Sequence, residues 1–284
     1  MRGYHVYVIN LDRSQDRLAQ FQAQARALNL PFTKVPAVDG SHPAFSYQPA
    51  KAPGAASRYA EPGYKYYRAL VAEEVGCHLS HIKALETFLA DGFDYGVVLE
   101  DDAVFADGFI DKLSRILDRH KENHCWDVLK LHGSKKGLAV IEVISDGLCL
   151  VEHCSVPGGS FGTAWTRPGA ERFLRAHQEH LVGRPIDVDI RYPWEYDATV
   201  LTVRPPLVSH EDTSGGATTT IIDRRTAFKA DGKLVKDSFR KWSFQARFLC
   251  KRLAYNIRRH GLANALLLEC GRAVDSPRRE HTNR

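Results

Sequence analysis

Residues Tyr4–Leu11 form an apolar, β-branched run that stops at Asp12-Arg13-Ser14, the pattern of a buried strand entering a turn. Ser14 is a candidate N-cap, after which Leu18, Phe21, Ala25 and Leu28 recur at helical spacing until Pro31. Phe32–Val38 is a second strand pattern, closed by Asp39-Gly40. This strand–helix–strand order predicts a parallel α/β unit. Residues 41–63 carry four prolines and many small residues, which predicts a long loop. Glu73–Ala90 is a helix pattern with Val75, Leu79, Ile82, Leu85 and Leu89 as its stripe, and Tyr95–Leu99 is a short buried strand ending in Glu100-Asp101-Asp102. A helix over Phe109–His120 follows, then strands at Asp127–Leu131, Leu138–Ile144, Leu148–His153 and Phe161–Thr166. Pro168 opens a helix over Gly169–His180, and Thr199–Val203 is a last strand before Pro205-Pro206. The alternation predicts an α/β domain with a mostly parallel sheet and a more β-rich second half.

The chain has 284 residues, 44% hydrophobic and 26% charged, enough for a substantial core and unlike fibrous or disordered chains. No run of eighteen apolar residues is present, and the first apolar run is too short for a signal peptide. Six cysteines without a C-x-x-C pair suit reduced thiols. Together these predict a soluble, cytoplasmic protein.

The net charge of +5 hides an asymmetry: a mildly acidic body over 1–223 precedes a strongly basic helical extension over 224–284. Within the extension, Trp242, Ala246, Leu249, Leu253 and Ile257 form a stripe, with Arg247, Lys251, Arg252, Arg258 and Arg259 around it. A basic, aromatic-rich helix suits an anionic membrane surface, which predicts peripheral attachment at the inner face of a bacterial inner membrane. Packing of the stripe on the body is the alternative. The same charges attract nucleic acid, but no nucleic-acid-binding motif accompanies them, so no nucleic-acid partner is expected.

Glu100-Asp101-Asp102 is the most informative motif. Three carboxylates at the carboxyl end of a buried strand lie where open α/β sheets bind ligands. A hard divalent cation such as Mn²⁺ or Mg²⁺ favours oxygen ligands of this kind and can neutralise a departing diphosphate. A solvated acidic turn is the plainer alternative. If strand geometry persists, Glu100 and Asp102 share one side and Asp101 takes the other. Asn10, Arg13 and Arg17 follow the first strand, where guanidinium groups can grip phosphate. Glu74-Val75-Gly76-Cys77-His78-Leu79-Ser80-His81 opens the helix before the acidic strand. His78 and His81, three apart, can reach one side of it; a zinc site there lacks a third soft ligand, and Ser80 and His81 lining a cleft is preferred.

Val8-Ile9-Asn10-Leu11-Asp12-Arg13 with Arg17, the Glu74–His81 segment, Val97-Val98-Leu99-Glu100-Asp101-Asp102 and Gly162-Thr163-Ala164-Trp165 occur in an order and spacing that resemble glycosyltransferase family 25 over roughly residues 4–210. That family comprises lipopolysaccharide and lipooligosaccharide sugar transferases and their collagen galactosyltransferase relatives. The resemblance implies a GT-A fold with a Rossmann-like nucleotide-sugar half, about 1–105, and an acceptor half, 106–223. It also implies a nucleotide-sugar donor, most often UDP-galactose, a divalent metal, usually Mn²⁺, and inversion at the anomeric carbon. Asp102 then coordinates metal, with Glu100 or Asp101 as a second contact, while Asn10, Leu11, Arg13, Arg17, Glu74, Ser80 and His81 fall around the nucleotide sugar. Asp187, in Arg184-Pro185-Ile186-Asp187-Val188-Asp189, matches the family's later Pro-x-Asp position and is the candidate base, with Asp189 and Glu195 in reserve. His210, where relatives often carry Gln, is a further candidate metal or phosphate contact. Trp194, beside Glu195, is the candidate acceptor platform. The competing readings are a catalytically silent nucleotide-sugar or glycan binder and a metal-dependent phosphohydrolase.

Overall fold

The computed structural model describes residues 3–47, 65–133, 138–145, 147–177, 181–210, 238–270 and 274–275. Most of the expected loop, 48–63, lies outside this set, as do residues 178–180 and 211–237.

The opening pattern folds as β1 (Tyr4–Asn10), α1 (Gln15–Ala27) and β2 (Phe32–Pro36), followed by α2 (Ala72–Asp91) and β3 (Tyr95–Glu100). Strands β2, β1 and β3 are parallel neighbours. Then come β4 (Ala103–Phe105), α3 (Phe109–Asn123), β5 (Val128–Lys130), β6 (Leu138–Ser145), β7 (Leu148–His153), β8 (Gly162–Thr166) and α4 (Arg167–Ala176). The chain continues through α5 (Ile186–Asp189), β9 (Val200–Arg204), β10 (Val208–His210), α6 (Ser238–His260), α7 (Leu262–Glu269) and β11 (Val274–Asp275). One nine-stranded sheet runs β11-β6-β7-β9-β5-β8-β3-β1-β2, and β10 pairs with β4 in a separate two-stranded sheet.

The expected mostly parallel sheet is corrected to a mixed one. β5 and β9 are parallel, but β8 runs antiparallel to both β3 and β5, and β7 antiparallel to both β6 and β9. A tight turn joins β6 to β7, which only antiparallel strands permit. Ser14 precedes α1 but makes no side-chain cap, whereas Thr166 caps α4 through Gly169 N–H at 3.0 Å.

Alternation along the central strands sorts the core into two layers. Val6, Val8, Val97 and Leu99 face α1 and α3, packing with Phe21, Leu113 and Ile116. Tyr7, Ile9 and Val98 face α2 and α4, against Ile82, Leu85, Phe88 and Phe173. Trp126 and Trp165 are buried in these layers and serve packing.

Gly76 on α2 lies against the chain leaving β2: a Cβ there would meet Val38 O at 2.5 Å and Gly40 N at 2.7 Å. Both neighbours are backbone and cannot rotate away. Gly76→Ala is therefore expected to cost about 1–3 kcal/mol, read as a lower denaturant midpoint at unchanged slope.

Candidate functional site

The carboxyl ends of β1, β2 and β3 open on a cavity of about 470 Å³. Leu11, Arg13 and Arg17 line it from β1 and α1, Asp39 and Gly40 from the exit of β2, and Glu74, Cys77, Ser80 and His81 from α2. Glu100, Asp101 and Asp102 line it at the end of β3, together with Ser160, Asp187 and His210. Residues from opposite ends of the chain thus meet at one sheet edge, the usual place for ligands in open α/β sheets.

The acidic triplet does not continue the strand. The chain turns at Asp101 and Asp102, so the expected split of Glu100 and Asp102 from Asp101 is replaced by another. Asp101 accepts from Asn10 Nδ2 at 2.7 Å and from Arg17 at 3.2 Å, and Asp102 also faces Arg17, at 3.9 Å. Glu100 turns the other way, toward His81 Nε2 at 3.2 Å and Ser160 Oγ at 2.7 Å. Burial would lift the Glu100 carboxyl, but the His81 and Ser160 contacts hold it below its usual range. Burial and the neighbouring Glu100 push Asp102 up to about 6, against the pull of Arg17. Asp102 Oδ1 is buried and has no hydrogen-bond partner. An orphaned carboxylate oxygen beside two further carboxylates is a donor set that suits a hard divalent cation. His210 reaches the same cavity because β10 pairs with β4, setting His210 opposite Ala103.

Several expected ligands are already engaged. Asn10 is buried beneath the cavity and positions Asp101 rather than lining it. Ser80 Oγ accepts from Val38 N–H at 2.8 Å and donates to Gly76 O at 2.7 Å, so its hydroxyl ties α2 to the β2 exit. Glu74 makes a two-pronged pair with Arg68, both contacts at 2.8 Å, and accepts from Val71 N–H at 3.1 Å, closing the start of α2. Arg13 pairs with Asp39, whose other oxygen accepts from Ser41. His78 points away from His81, toward Arg184 O at 3.0 Å, and burial pulls it down to about 4.

Asp187 is half-buried at the start of α5, lines the cavity and lies 3.4 Å from Gly159 N–H. The two reserve carboxylates are elsewhere. Asp189 is buried beneath the site, bonded to Arg184 at 2.5 Å and to His177 at 3.2 Å. Glu195 pairs with Arg184 at 2.5 Å and sits 3.5 Å from Lys65 and 3.8 Å from Lys251. Trp194 packs against Phe248 and Tyr255 of α6, centroids 5.6 and 5.8 Å away. Trp194 and Glu195 thus lie beside α6 and are not among the residues lining the cavity, where the acceptor platform was expected.

Sequence patterning missed Lys130. It is fully buried on β5, and its amine donates to the carbonyls of Pro157, Gly158 and Gly159, with the last two at 3.0 and 2.6 Å. Burial draws this amine down to about 7, with Asp187 opposing. Lys130 thereby fixes the loop that brings Ser160 to Glu100. A lysine inside the apolar run Asp127–Leu131 was the available signal.

The extension lies on the body through a face other than the expected stripe. Tyr255 donates to Ala198 O at 3.2 Å, Asn256 to Cys154 O at 3.1 Å, and Arg259 pairs with Glu152 at 2.6 Å. Trp242 and Leu249 of the stripe are exposed instead.

The sequence model described as "Glycosyltransferase family 25 (LPS biosynthesis protein)" matches residues 4–139. A rat protein named "Probable inactive glycosyltransferase 25 family member 3" is 31% identical over 221 residues, 72% of this chain and 37% of its own length. An Aedes aegypti protein named "Glycosyltransferase 25 family member" is 32% identical over 127 residues, 44% of this chain and 20% of its own. The chain spans little more than a third of the length of the curated relatives it matches. Among solved structures, A197 from STIV superposes at a TM-score of 0.39 with 13% identity, over 74% of this chain and 85% of that one.

Proposed function

Since the chain belongs to glycosyltransferase family 25, we propose that it is an inverting, metal-dependent glycosyltransferase of GT-A type. In this reading it moves galactose from UDP-galactose to a lipopolysaccharide, lipooligosaccharide or other cell-surface glycan. The observation that carries the reading is Asp102 Oδ1, buried without a partner beside a cavity that Asp102 lines with Glu100, Asp101 and Arg17.

Asp102 and Glu100, with His210, would hold Mn²⁺ or Mg²⁺, and the bound ion would neutralise charge on the departing nucleoside diphosphate. Arg13 and Arg17 stand where the nucleotide phosphates enter. Asp39 caps the exit of β2, where an acidic side chain meets a ribose in dinucleotide-binding sheets. Asp187, lining the cavity from α5, takes the proton from the acceptor hydroxyl as the new bond forms. Lys130 holds the 157–159 segment that lies beside Asp187.

The test is a panel of UDP- and GDP-sugars scored for Mn²⁺-dependent thermal stabilisation. At a hundredfold excess over Kd, the matching donor is expected to stabilise by about 2.7 kcal/mol, a shift of about 5 °C, and Asp102→Ala is expected to abolish it. Equal shifts in both proteins would remove Asp102 from the metal site. A second reading, a silent nucleotide-sugar binder, is favoured by the name of the rat relative, "Probable inactive glycosyltransferase 25 family member 3". It keeps the stabilisation but shows no transfer to any glycan acceptor. A phosphohydrolase would consume the donor with no acceptor present.

The membrane part of the reading rests on the outer face of α6 and α7. Among the described residues, no helix is long and apolar enough to cross a membrane. Phe239, Trp242, Leu249, Leu262 and Leu266 are exposed there, beside Arg240, Lys241, Arg247 and Arg258. Such a face suits peripheral attachment to anionic lipid on the cytoplasmic side of an inner membrane, each cation adding roughly 1 kcal/mol. Trp242→Glu with Leu249→Glu is expected to end co-sedimentation with phosphatidylglycerol vesicles while leaving the melting temperature unchanged; retained binding would discard the attachment.

A further inference from the structure

Cys77 and His81 are four residues apart on α2, so both side chains leave the same face of the helix and meet Glu100 from β3. The Cys77 Sγ, a His81 ring nitrogen and a Glu100 carboxylate oxygen all lie within 4.8 Å of one another. His78, which the spacing paired with His81, is replaced in this cluster by its neighbour Cys77.

From this geometry we infer that Cys77, His81 and Glu100 form a second metal site, selective for zinc-class ions, that shares Glu100 with the hard-cation site proposed at Asp102. One thiolate, one imidazole and one carboxylate are the ligand types zinc takes, with bonds of about 2.0–2.3 Å. In a tetrahedral site those bonds place ligand atoms roughly 3.3–3.6 Å apart, near the 3.2 Å already between His81 and Glu100, with the Cys77 thiol within 4.8 Å of both. Mn²⁺ and Mg²⁺ prefer all-oxygen shells, so a thiolate ligand discriminates against them. All three residues line the cavity, which leaves a fourth position open to solvent or substrate. Binding replaces the thiol proton, which passes to solvent, and draws Glu100 away from its bond to Ser160.

The second buried cluster, His78, His177 and Asp189, does not line the cavity; Arg184 engages Asp189 through Oδ1 and His78 through its backbone carbonyl.

The test uses Co²⁺ as a spectroscopic stand-in on the full-length protein, without nucleotide. Co²⁺ is expected to give a thiolate-to-metal charge-transfer band in the near ultraviolet, bleached by equimolar Zn²⁺ but not by excess Mn²⁺ or Mg²⁺. Cys77→Ser should lose the band, and Asp102→Ala should keep it. Unchanged near-ultraviolet circular dichroism of the apo variants verifies folding. As a second measurement, Zn²⁺ should protect Cys77 of the wild type from iodoacetamide, read by peptide mass. A wild type without a band, a band that survives Cys77→Ser, or unprotected Cys77 would each overturn the site. None of these outcomes depends on UDP-sugar binding or transfer, so the site stands or falls separately from the transferase reading.

Discussion

Asparagine in place of Asp187 is expected to slow sugar transfer by about 10²–10⁴-fold while leaving the Mn²⁺-dependent donor stabilisation intact. The substitution keeps the size of the side chain and an oxygen that can accept from Gly159 N–H, now 3.4 Å away. What it removes is the ability to take a proton. Asp187 lines the cavity from α5, a different element from the triplet, so in the proposed reading it can serve an acceptor hydroxyl. Single-turnover rates with the cognate donor check the prediction, and a variant within tenfold of wild type would move the base elsewhere. Asp189→Asn offers a contrast, because Asp189 lies beneath the site in an ion network; its loss should appear as lowered stability.

That network carries the second large effect. Arg184 is 3% exposed and stacks on Tyr192, its guanidinium carbon 3.7 Å from the ring centre, while bonding Asp189 and Glu195. Arg184→Met preserves much of the packing but leaves Asp189 charged, buried and without its guanidinium. Removing one partner of a buried pair costs about 3–5 kcal/mol, so the melting temperature should fall by about 10 °C. Burial alone would lift the Asp189 carboxyl, but Arg184, His177 and His78 overcome it and hold the group well below the carboxylate range. A depressed carboxylate contributes stability above its unfolded pKa of about 3.9 and loses it as pH falls toward the folded value. Without Arg184 the carboxyl rises and can protonate in mild acid, which relieves the buried charge. The gap between wild type and variant should therefore be widest at neutral pH and narrow toward pH 4. His78, drawn down to about 4 by burial, adds a loss common to both proteins as pH falls from about 6.5 to 4. Urea unfolding at pH 7 and pH 4.5 measures both terms, and a constant gap would mean Arg184 acts through packing alone.

Much of the scaffold was legible because burial on both faces leaves continuous apolar runs. Tyr4–Asn10 and Tyr95–Glu100 read as buried strands for that reason, and their order put the triplet at the correct sheet edge. Helix periodicity located α1, α2 and α3 to within a few residues. Orientation was harder to read. On α6 both faces are rich in large apolar groups, and the aromatics Phe248 and Tyr255, not the Trp242–Leu249 stripe, reach the body because they find Trp194 and Ala198. Ser80 and Glu74 were recognised as polar residues of a helix near the site, yet whether a hydroxyl faces a ligand or a backbone amide depends on the β2 exit passing at Gly40. Lys130, Asp39 and Ser160 act only through three-dimensional convergence, and the short β4 and β10 lack the length for a periodic signal.

β3 has a parallel neighbour on one flank and an antiparallel neighbour on the other. One rim of the sheet thus receives the outgoing end of β1 and the incoming end of β8, although about 150 residues of chain separate them. Lengthening or trimming the segment that feeds β8 would reshape the far bank of the cleft without disturbing the hydrogen-bond register that seats Arg17 against the carboxylates. Sequence divergence among homologues should consequently concentrate in residues 154–161, with the strand pairings of β1, β2 and β3 preserved.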